Sequence, residues 1–289
     1  MRWEVVAADL SRTLHRTVRV ERAVQLAGGC INQAVRLETS AGAFFVKLNV
    51  VERAGMFEAE AGGLRELAAA GALRVPAPVV WGADASHAWL VLEHLTLSRH
   101  ADDGTLGRQL ARLHRHTAEL FGWTRDNTIG TTPQHNDPSG DWVAFWGEHR
   151  LRFQLALAAD NGYGGRLQET GARLLDRLEV LIGPHAPVPS LLHGDLWSGN
   201  AAATEGGEPV VFDPAVYYGD RETDLAMTEL FGGFSAAFYR AYREEWPLEP
   251  GYAQRRELYN LYHVLNHLNL FGGSYLGQAQ RMIDRLLTT

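Results

Sequence analysis

Hydrophobic residues divide the chain into a front rich in strands and a longer part rich in helices. Residues 3–15 follow a helix-like period and predict a short leading helix. Val35 and Leu37 alternate with charged residues, and the turn TSAG separates them from FFVKL, so this stretch predicts a β-hairpin. A helix over 56–71 and two further strands, VPAPVVWG and AWLVLEHL, complete the predicted front.

Beyond this front the apolar residues recur at helical spacing. Leu106, Leu110 and Leu113 lie at i, i+4 and i+7, which is typical of one buried helix face. Long helices are predicted at roughly 141–160, 166–182, 222–245 and 252–288. We therefore expect an α+β fold with a β-rich N-terminal domain over 1–95 and a mainly α-helical C-terminal domain over 96–289.

Charge and cysteine content narrow the class of protein. The formal net charge of −7 argues against nucleic acid or anionic membranes as partners, because phosphates are bound by clustered lysine and arginine. No run of roughly 18 apolar residues predicts a membrane span, and the first residues show no signal peptide. Cys30 is the single cysteine, which fits a reducing compartment. We expect a monomeric, cytoplasmic protein.

Lys47 lies on the second strand of the predicted hairpin, whose entry carries Gly28 and Gly29. Glycines let backbone N–H groups approach a phosphate, and a nearby lysine would neutralise the phosphate charge. The lysine does not follow the glycines directly, so this is not a G-x-x-x-x-G-K-[ST] loop, and the arrangement instead resembles that of protein kinases. A solvated strand lysine is the alternative.

Glu60 shares one stripe of the predicted helix with Leu64 and Leu67. A carboxylate on an apolar stripe is costly to bury without a cation, and Lys47 is the expected partner. The alternative is that Glu60 lies at the edge of the stripe and meets water.

The segment HGDLWSGN contains Asp195 and Asn200, and Asp213 ends the apolar stretch PVVFD. Phosphoryl transfer from ATP to a hydroxyl needs a carboxylate that accepts the proton and oxygen ligands for Mg²⁺. Asp195 suits the first role, whereas Asn200 and Asp213 suit the second. Each residue alone could be an ordinary turn former, but their order behind Lys47 and Glu60 favours phosphoryl transfer.

These motifs resemble the fructosamine kinase (ketosamine-3-kinase) family, in the aminoglycoside and choline kinase-like group with a bilobal protein-kinase-like fold. The resemblance rests on LLHGDLWSGN and VVFDPAVYYGDRETDLAM, and continues in the family's order through GGCINQAVRL, FFVKLN, MFEAEAGGL, DNTIGTTPQHN and DWVAFWGEHRL. It covers nearly the whole chain. H-G-D-x-x-x-x-N is shared by the whole group, so the tryptophan of DLWSGN and the IGTTPQ stretch are the most specific features.

The resemblance implies a role for each matching residue. Lys47 would contact the ATP phosphates with Glu60 holding it, and Asp195 would be the catalytic base. Asn200 and Asp213 would hold Mg²⁺. The remaining nucleotide contacts would come from the loop and hinge residues Gly28, Gly29, Cys30, Asn32 and the backbone of Glu93 and Leu95.

Three further residues would support the site. His193 would brace the catalytic loop, or be a buried histidine of the core. Asp220 and Asp224 would stabilise the loop after the metal ligand, or form surface salt bridges.

Trp197 follows the proposed base by two residues. An indole offers a flat platform for the apolar C–H face of a sugar, which would point one hydroxyl at Asp195. The alternative is a core tryptophan. Trp142 and Trp146, four residues apart on a predicted helix, are expected in the core rather than at a ligand.

These residues predict ATP- and Mg²⁺-dependent phosphorylation, and the resemblance implies that the acceptor is the sugar 3-hydroxyl of a ketosamine, either a small molecule or a glycated protein lysine. This is a deglycation, or repair, activity. A kinase for an aminoglycoside or choline is the alternative, although 246–289 is not notably acidic, as a polycationic acceptor would require. A metallophosphoesterase would need a denser His/Asp cluster. A pseudokinase would lack the lysine, the base or the metal ligands.

Cys30 adds a thiol to the predicted phosphate loop. Backbone N–H groups and Lys47 nearby would favour its thiolate. Since the chain has no second cysteine, its oxidation would give an intermolecular, Cys30-linked dimer or a mixed disulfide. The alternative is a small, half-buried residue without a redox role.

Overall fold

The structure is a computed structural model that describes residues 3–27, 31–98 and 102–288. Gly28, Gly29 and Cys30 lie outside the described residues, so the predicted glycine loop and the Cys30-linked dimer stay predictions. Among the helices of the described ranges, none is long and apolar enough to cross a bilayer.

Strands and helices are numbered here in chain order. The strands are β1 (Val20–Leu26), β2 (Gln33–Thr39), β3 (Gly42–Val50), β4 (Pro78–Ala83), β5 (His87–Glu93), β6 (Leu97–Ser98), β7 (Asn127–Ile129), β8 (Thr132–Gln134), β9 (Ser190–Leu192), β10 (Ala201–Thr204), β11 (Pro209–Val211) and β12 (Tyr217–Gly219). The α-helices are α1 (Trp3–Thr13), α2 (Ala54–Ala69), α3 (Asp103–His114), α4 (Trp142–Trp146), α5 (Phe153–Asp160), α6 (Arg166–Leu175), α7 (Leu178–Ile182), α8 (Glu222–Leu230), α9 (Ala236–Glu245), α10 (Tyr252–Phe271) and α11 (Leu276–Thr288).

Contacts within the chain group it into two units. The first comprises Met1–Asp102 and Ala201–Pro214, and the second comprises Asp103–Asn200 and Ala215–Thr289. The sequence-based division at residue 95 differs from this grouping because it placed 201–214 in the C-terminal domain. β10 pairs with β6, and Val211 N donates to Arg74 O at 3.0 Å, so this segment packs with the first unit.

An antiparallel sheet in the order β1-β2-β3-β5-β4 forms the first unit. Apolar side chains on one face of the sheet pack with α1 in a single cluster, which includes Val35 and Leu37 of β2, Val46 and Leu48 of β3, Trp89 and Val91 of β5, and Val6 and Leu10 of α1. The predicted leading helix therefore covers one face of the predicted hairpin.

Lys47 lies between Val46 and Leu48 in β3, so its side chain projects from the opposite face of the sheet. That face packs against α2, in which Phe57 and Leu64 are buried. The alternation of β3 thus directs Lys47 toward α2.

Helices dominate the second unit. Residues 258–266 of α10 are buried, and α5, α8 and α11 pack against this helix, while α3 packs against α9. Trp142 and Trp146 of α4 are buried, which confirms their predicted place in the core. The indole N–H of Trp142 donates to Tyr259 Oη at 3.0 Å.

Three of the long predicted helices are shorter in the structure. The stretch 222–245 is interrupted after α8, where Gly232 and Gly233 have positive φ values of 91° and 71°. The stretch 252–288 is interrupted at Gly272, with φ 92°, because this conformation ends a helix. A turn after Leu175 divides 166–182. The strand β1 was not predicted, since its residues are exposed or only half-buried, although Val20 packs against the apolar cluster.

Gly107→Ala is expected to destabilise the protein, because a Cβ there would lie 2.2 Å from the Phe238 carbonyl oxygen in α9. Forcing the packed helices apart should lower the free energy of unfolding by about 1–3 kcal/mol. Gly55→Ala in α2 is the matched control, since nothing lies within 4 Å of its Cβ. Urea unfolding measures both variants, and equal midpoints would contradict the close approach of α3 and α9.

Candidate functional site

Lys47 is held by two carboxylates of the first unit. Its Nζ lies 2.5 Å from Glu60 Oε1 and 2.6 Å from Asp213 Oδ1. The Lys47 and Glu60 side chains are 7% and 10% exposed, so neither is the solvated surface group that the alternatives assumed. The sequence prediction that Glu60 pairs with Lys47 is therefore confirmed as a contact.

Lys47 is a buried cation at physiological pH. Burial alone would lower the pKa of Lys47, but the charges of Asp213 and Glu60 and their hydrogen bonds more than offset it, so the pKa is raised. A permanently charged ammonium group suits the binding of an anionic ligand.

Asp213 follows β11 in a left-handed backbone conformation, with φ 58°. Non-glycine residues adopt this region uncommonly, and such residues cluster at functional sites. The Asp213 side chain is 49% exposed, so its carboxylate contacts Lys47 and also faces solvent. Asp213 thus has both an unusual backbone and an accessible oxygen.

In the second unit, Asp195 and Asn200 are joined by hydrogen bonds. The Asn200 Nδ2 group donates to the Asp195 carbonyl oxygen at 2.8 Å and to its Oδ2 at 3.2 Å. A 3₁₀ turn at Ser198–Asn200 brings the chain back toward Asp195. Asn200 is buried, whereas Asp195 is partly exposed. The amide therefore fixes the carboxylate and points its own oxygen elsewhere.

Asp224 of α8 holds the backbone that precedes Asp195. Its Oδ2 accepts from His193 N at 2.7 Å and its Oδ1 from Gly194 N at 2.8 Å. Gly194 has φ 82°, and a Cβ there would lie 2.0 Å from the Ala215 carbonyl oxygen, so only glycine fits. The direction of this loop is set by one carboxylate and one glycine.

His193 is fully buried, and its Nδ1 accepts from Asp195 N at 3.3 Å. Its carbonyl oxygen accepts from Ala215 N at 2.8 Å. The residue is thus a buried histidine whose ring and backbone both contact the loop, and its bracing role stays a prediction.

Asp224 is itself surrounded by partners. Its Oδ2 lies 3.2 Å from His114 Nε2, and the Tyr242 hydroxyl lies 2.7 Å from His114 Nδ1. Burial lowers the pKa of His114, so the neutral ring donates to Asp224 and accepts from Tyr242. Burial alone would raise the pKa of Asp224, but the His114 hydrogen bond and the loop N–H group lower it, so Asp224 remains ionised.

Asp220 is fully buried and lies at the start of α8. Its Oδ1 accepts from Glu222 N at 3.0 Å, and its Oδ2 accepts from the Tyr259 hydroxyl at 2.6 Å. Burial of Asp220 and Asp224 contradicts the alternative that they form surface salt bridges. The Asp224 contacts also differ from the prediction, because they hold His193 and Gly194 rather than the loop after Asp213.

Trp197 is 37% exposed, which contradicts the alternative of a core tryptophan. Its ring lies against Gly199, where an added Cβ would be 2.3 Å from the indole. Phe231 packs edge-on against it at 6.3 Å between ring centroids, and the ring of His267 lies 4.7 Å from that of Phe231. The indole therefore presents a supported face on the surface of the second unit.

The predicted hinge and loop residues are placed only in part. Asn32 Oδ1 accepts from Asn49 Nδ2 at 2.8 Å, which fixes the end of the loop to β3. Glu93 N donates to Ala77 O at 2.9 Å, so a backbone contact to adenine at Glu93 would have to come from its carbonyl oxygen. Leu95 is half-buried.

Sequence reasoning missed the residues that support the site from a distance. His114 could have been found, because it lies four residues after Leu110 on the apolar stripe of α3. A histidine on such a stripe indicates a buried polar partner. Phe231, His267 and Tyr242 carried no local signal.

Comparisons with known proteins identify one family for the chain. The family model described as fructosamine kinase matches residues 2–289. A Synechocystis protein named "Probable ketoamine kinase" is 48% identical over 288 residues, which cover 99% of this chain and 97% of the relative. The crystal structure of a "Putative fructosamine-3-kinase" from Haemophilus somnus matches with TM-score 0.91 and 29% identity, covering 99% of this chain and 97% of that one.

A more distant structure, of an aminoglycoside phosphotransferase, matches with TM-score 0.59 and 18% identity over 98% of both chains. It shares the fold of this chain and so confirms the predicted α+β, protein-kinase-like fold class, with an antiparallel sheet in the first unit and helices in the second. The family model spans nearly every residue, and the Synechocystis relative is 48% identical over almost the whole chain. The chain belongs to the fructosamine kinase family.

Proposed function

We propose that this protein transfers the γ-phosphoryl group of ATP to the sugar 3-hydroxyl of a ketosamine, free or attached to a protein lysine. The observation that carries the proposal is the loop of Asp195, which Asp224 and Asn200 hold in a member of the fructosamine kinase family. The names of the relatives, ketoamine kinase and fructosamine-3-kinase, support the substrate class. Phosphorylation at this position would be a deglycation step.

Asp195 acts as the base in this proposal. The substrate hydroxyl donates a hydrogen bond to the Asp195 carboxylate, and its oxygen attacks the γ-phosphorus of ATP. As the new P–O bond forms, the bond to ADP breaks and the hydroxyl proton passes to Asp195. The hydrogen bond from Asn200 Nδ2 to Asp195 Oδ2, at 3.2 Å, keeps the carboxylate in one orientation for this transfer.

Lys47 binds the phosphates of ATP, and Glu60 keeps its ammonium group in place. Glu60 is suited to this because it contacts Lys47 at 2.5 Å in a buried position. Asn32, the glycine loop and the backbone of Glu93 and Leu95 complete the proposed nucleotide contacts.

Asn200 and Asp213 are the proposed ligands of Mg²⁺. The donors fit this ion, since a carboxylate oxygen and an amide oxygen are the hard ligands it prefers. Asp213 is accessible enough to take a ligand, at 49% side-chain exposure, and Asn200 uses its Nδ2 for Asp195, which leaves Oδ1 for a cation. When bound, Mg²⁺ would neutralise charge on the phosphates.

Trp197 is the proposed platform for the sugar. Its indole is exposed and is supported by Gly199 and Phe231, so a pyranose or furanose ring can lie on it. A kinase for an aminoglycoside is less well supported, because an apolar face of this kind offers no charge to a polycationic acceptor.

Asp195→Asn should leave the KM for ATP within a few-fold while kcat falls by at least roughly 10²-fold, because the proton acceptor is lost and the shape is kept. The measurement is steady-state phosphorylation of a fructosamine, with Asp160→Asn, an exposed aspartate of α5, as the control. A variant with near-normal kcat would remove Asp195 from the mechanism.

Trp197→Ala should raise the KM for the ketosamine by about 10-fold or more and leave the KM for ATP unchanged, because it removes the positioning surface. Trp197→Phe keeps a flat ring and should retain most of the acceptor affinity. If Trp197→Ala lowers the melting temperature but leaves acceptor kinetics intact, the platform role is wrong.

Glu60→Gln should lower kcat/KM for ATP by about 10- to 100-fold, because Lys47 loses the charge that holds it in position. Glu58→Gln is the matched control, two residues away on the exposed side of α2. The affinity of both variants for ADP, measured by competition with ATP, tests whether Glu60 holds Lys47 at the phosphates. Equal ADP affinities would contradict this role.

A further inference from the structure

His185 lies in the loop between α7 and β9 and contacts two carboxylates at once. Its Nε2 lies 2.8 Å from Asp220 Oδ2, and its Nδ1 lies 2.8 Å from Glu249 Oε2. The His185 side chain is only 4% exposed. Both ring nitrogens are therefore at hydrogen-bond distance from acceptors inside the second unit.

This geometry determines the protonation state of His185. A neutral imidazole has one N–H donor and one acceptor nitrogen, whereas an ionised carboxylate can only accept. Burial would raise the pKa of Asp220, but the hydrogen bonds from His185, Tyr259 and Glu222 N lower it, so Asp220 is an acceptor. The Glu249 carboxylate lies at the other ring nitrogen. Both nitrogens must then donate, which requires the imidazolium ion.

The charges around His185 come from each element that packs near it. The loop before α8 carries Asp220, α8 carries Glu222, the loop before α10 carries Glu249, and α10 carries Arg255 and Tyr259. Arg255 donates to both oxygens of Glu222, at 2.7 and 3.0 Å. Arg255 thus neutralises the buried carboxylate of Glu222, and His185 is the cation that contacts the buried carboxylate of Asp220.

Asp220 connects His185 to the loop of Asp195. Its Oδ1 accepts from Glu222 N at the first residue of α8, and four residues after Asp220 the same helix carries Asp224. Asp224 in turn holds His193 N and Gly194 N. A displacement of Asp220 would shift the first turn of α8, and with it Asp224, which accepts the hydrogen bonds of the loop backbone.

We propose that His185 is a positioning residue whose imidazolium ion, through Asp220 and the first turn of α8, holds the Asp195 loop in place. Its role in activity rests on the function proposed above, whereas its proton linkage to folding does not. Loss of the proton breaks one of the two carboxylate contacts and leaves buried negative charge at the start of α8 without its cation.

The direction of the pH dependence follows from the carboxylates. Burial would lower the pKa of His185, but the hydrogen bond and charge of Asp220, the hydrogen bond of Glu249 and the charge of Glu222 raise it above its ordinary value. The stabilisation is therefore fully present below pH about 6.5, the unfolded value. It is lost as the pH rises through the higher folded value.

The first experiment is thermal unfolding of the full chain between pH 6 and pH 9, for wild type and His185→Gln. The melting temperature of the variant should fall furthest below wild type at pH 6, and the difference should shrink as the pH rises. His135→Gln is the matched control, because His135 contacts one carboxylate, that of Asp126, and is 40% exposed. If the difference in melting temperature between wild type and His185→Gln is independent of pH, the imidazolium assignment is wrong.

The second experiment is an NMR titration of the histidine ring signals in wild type and Glu249→Gln. Glu249 is largely exposed, so this variant should fold, and the pKa of His185 should fall toward the ordinary value when one carboxylate is removed. Identical titration curves in the two proteins, or a neutral His185 ring at pH 6.5 in wild type, would contradict the proposal.

Activity provides the third readout. His185→Gln should lower kcat about 10-fold at pH 6.5 with an unchanged KM for ATP, and the ratio of wild-type to variant kcat should decline at higher pH. An unchanged kcat in a folded variant would remove His185 from loop positioning. If wild type itself phosphorylates no ketosamine, the proposed function fails, while unfolding and NMR still decide the proton linkage.

Discussion

The second unit depends on one buried carboxylate, that of Asp224. It accepts from two consecutive backbone N–H groups of the Asp195 loop and from His114. Transfer of a lone carboxylate from water to the interior costs several kcal/mol, and these charge-assisted hydrogen bonds offset that cost only while all of them are made. The loop has therefore little freedom to move independently of α8. Rigid support of this kind suits the role of base proposed for Asp195, because a base must lie within hydrogen-bond reach of the hydroxyl.

In the first unit a buried cation has the corresponding role. Lys47 is directed away from the apolar cluster by the alternation of β3, and its charge is stable there because Glu60 and Asp213 surround it. Asp213 itself has an unfavourable positive φ, and such a conformation persists only where the surrounding structure holds it. Here Asp213 follows β11 of the short β-sheet formed by β6, β10 and β11. Asp213 contacts Lys47 and still has a side chain that is 49% exposed, which is why it is the proposed metal ligand.

Local patterns in the sequence were sufficient for the parts of the site that depend on one element. The Lys47–Glu60 pair was predictable, because a carboxylate on an apolar stripe requires a cation and Lys47 is the one lysine of the sequence. Asp224 was identified as a support, but its target was not, since no local pattern shows that a residue of α8 reaches back to position 193. His185 was missed for the same reason: its partners lie 35 and 64 residues away. Long-range hydrogen bonds between loops leave no period in the sequence.

From the sequence alone, the run of charged residues at the start of α8 predicts a turn exposed to solvent. Instead Asp220, Arg221, Glu222 and Asp224 are all buried, and each has a directed partner. Arg221, for example, donates to the Pro247 carbonyl oxygen at 2.6 Å. Buried ion pairs of this kind often add no more stability than well-packed apolar groups of the same volume. What apolar groups cannot supply is direction: a carboxylate can receive two loop N–H groups at fixed angles, and a leucine cannot. The concentration of buried charge beside the Asp195 loop is therefore best explained by the geometry that the loop needs, and the stability of the helix comes instead from its packing on α10.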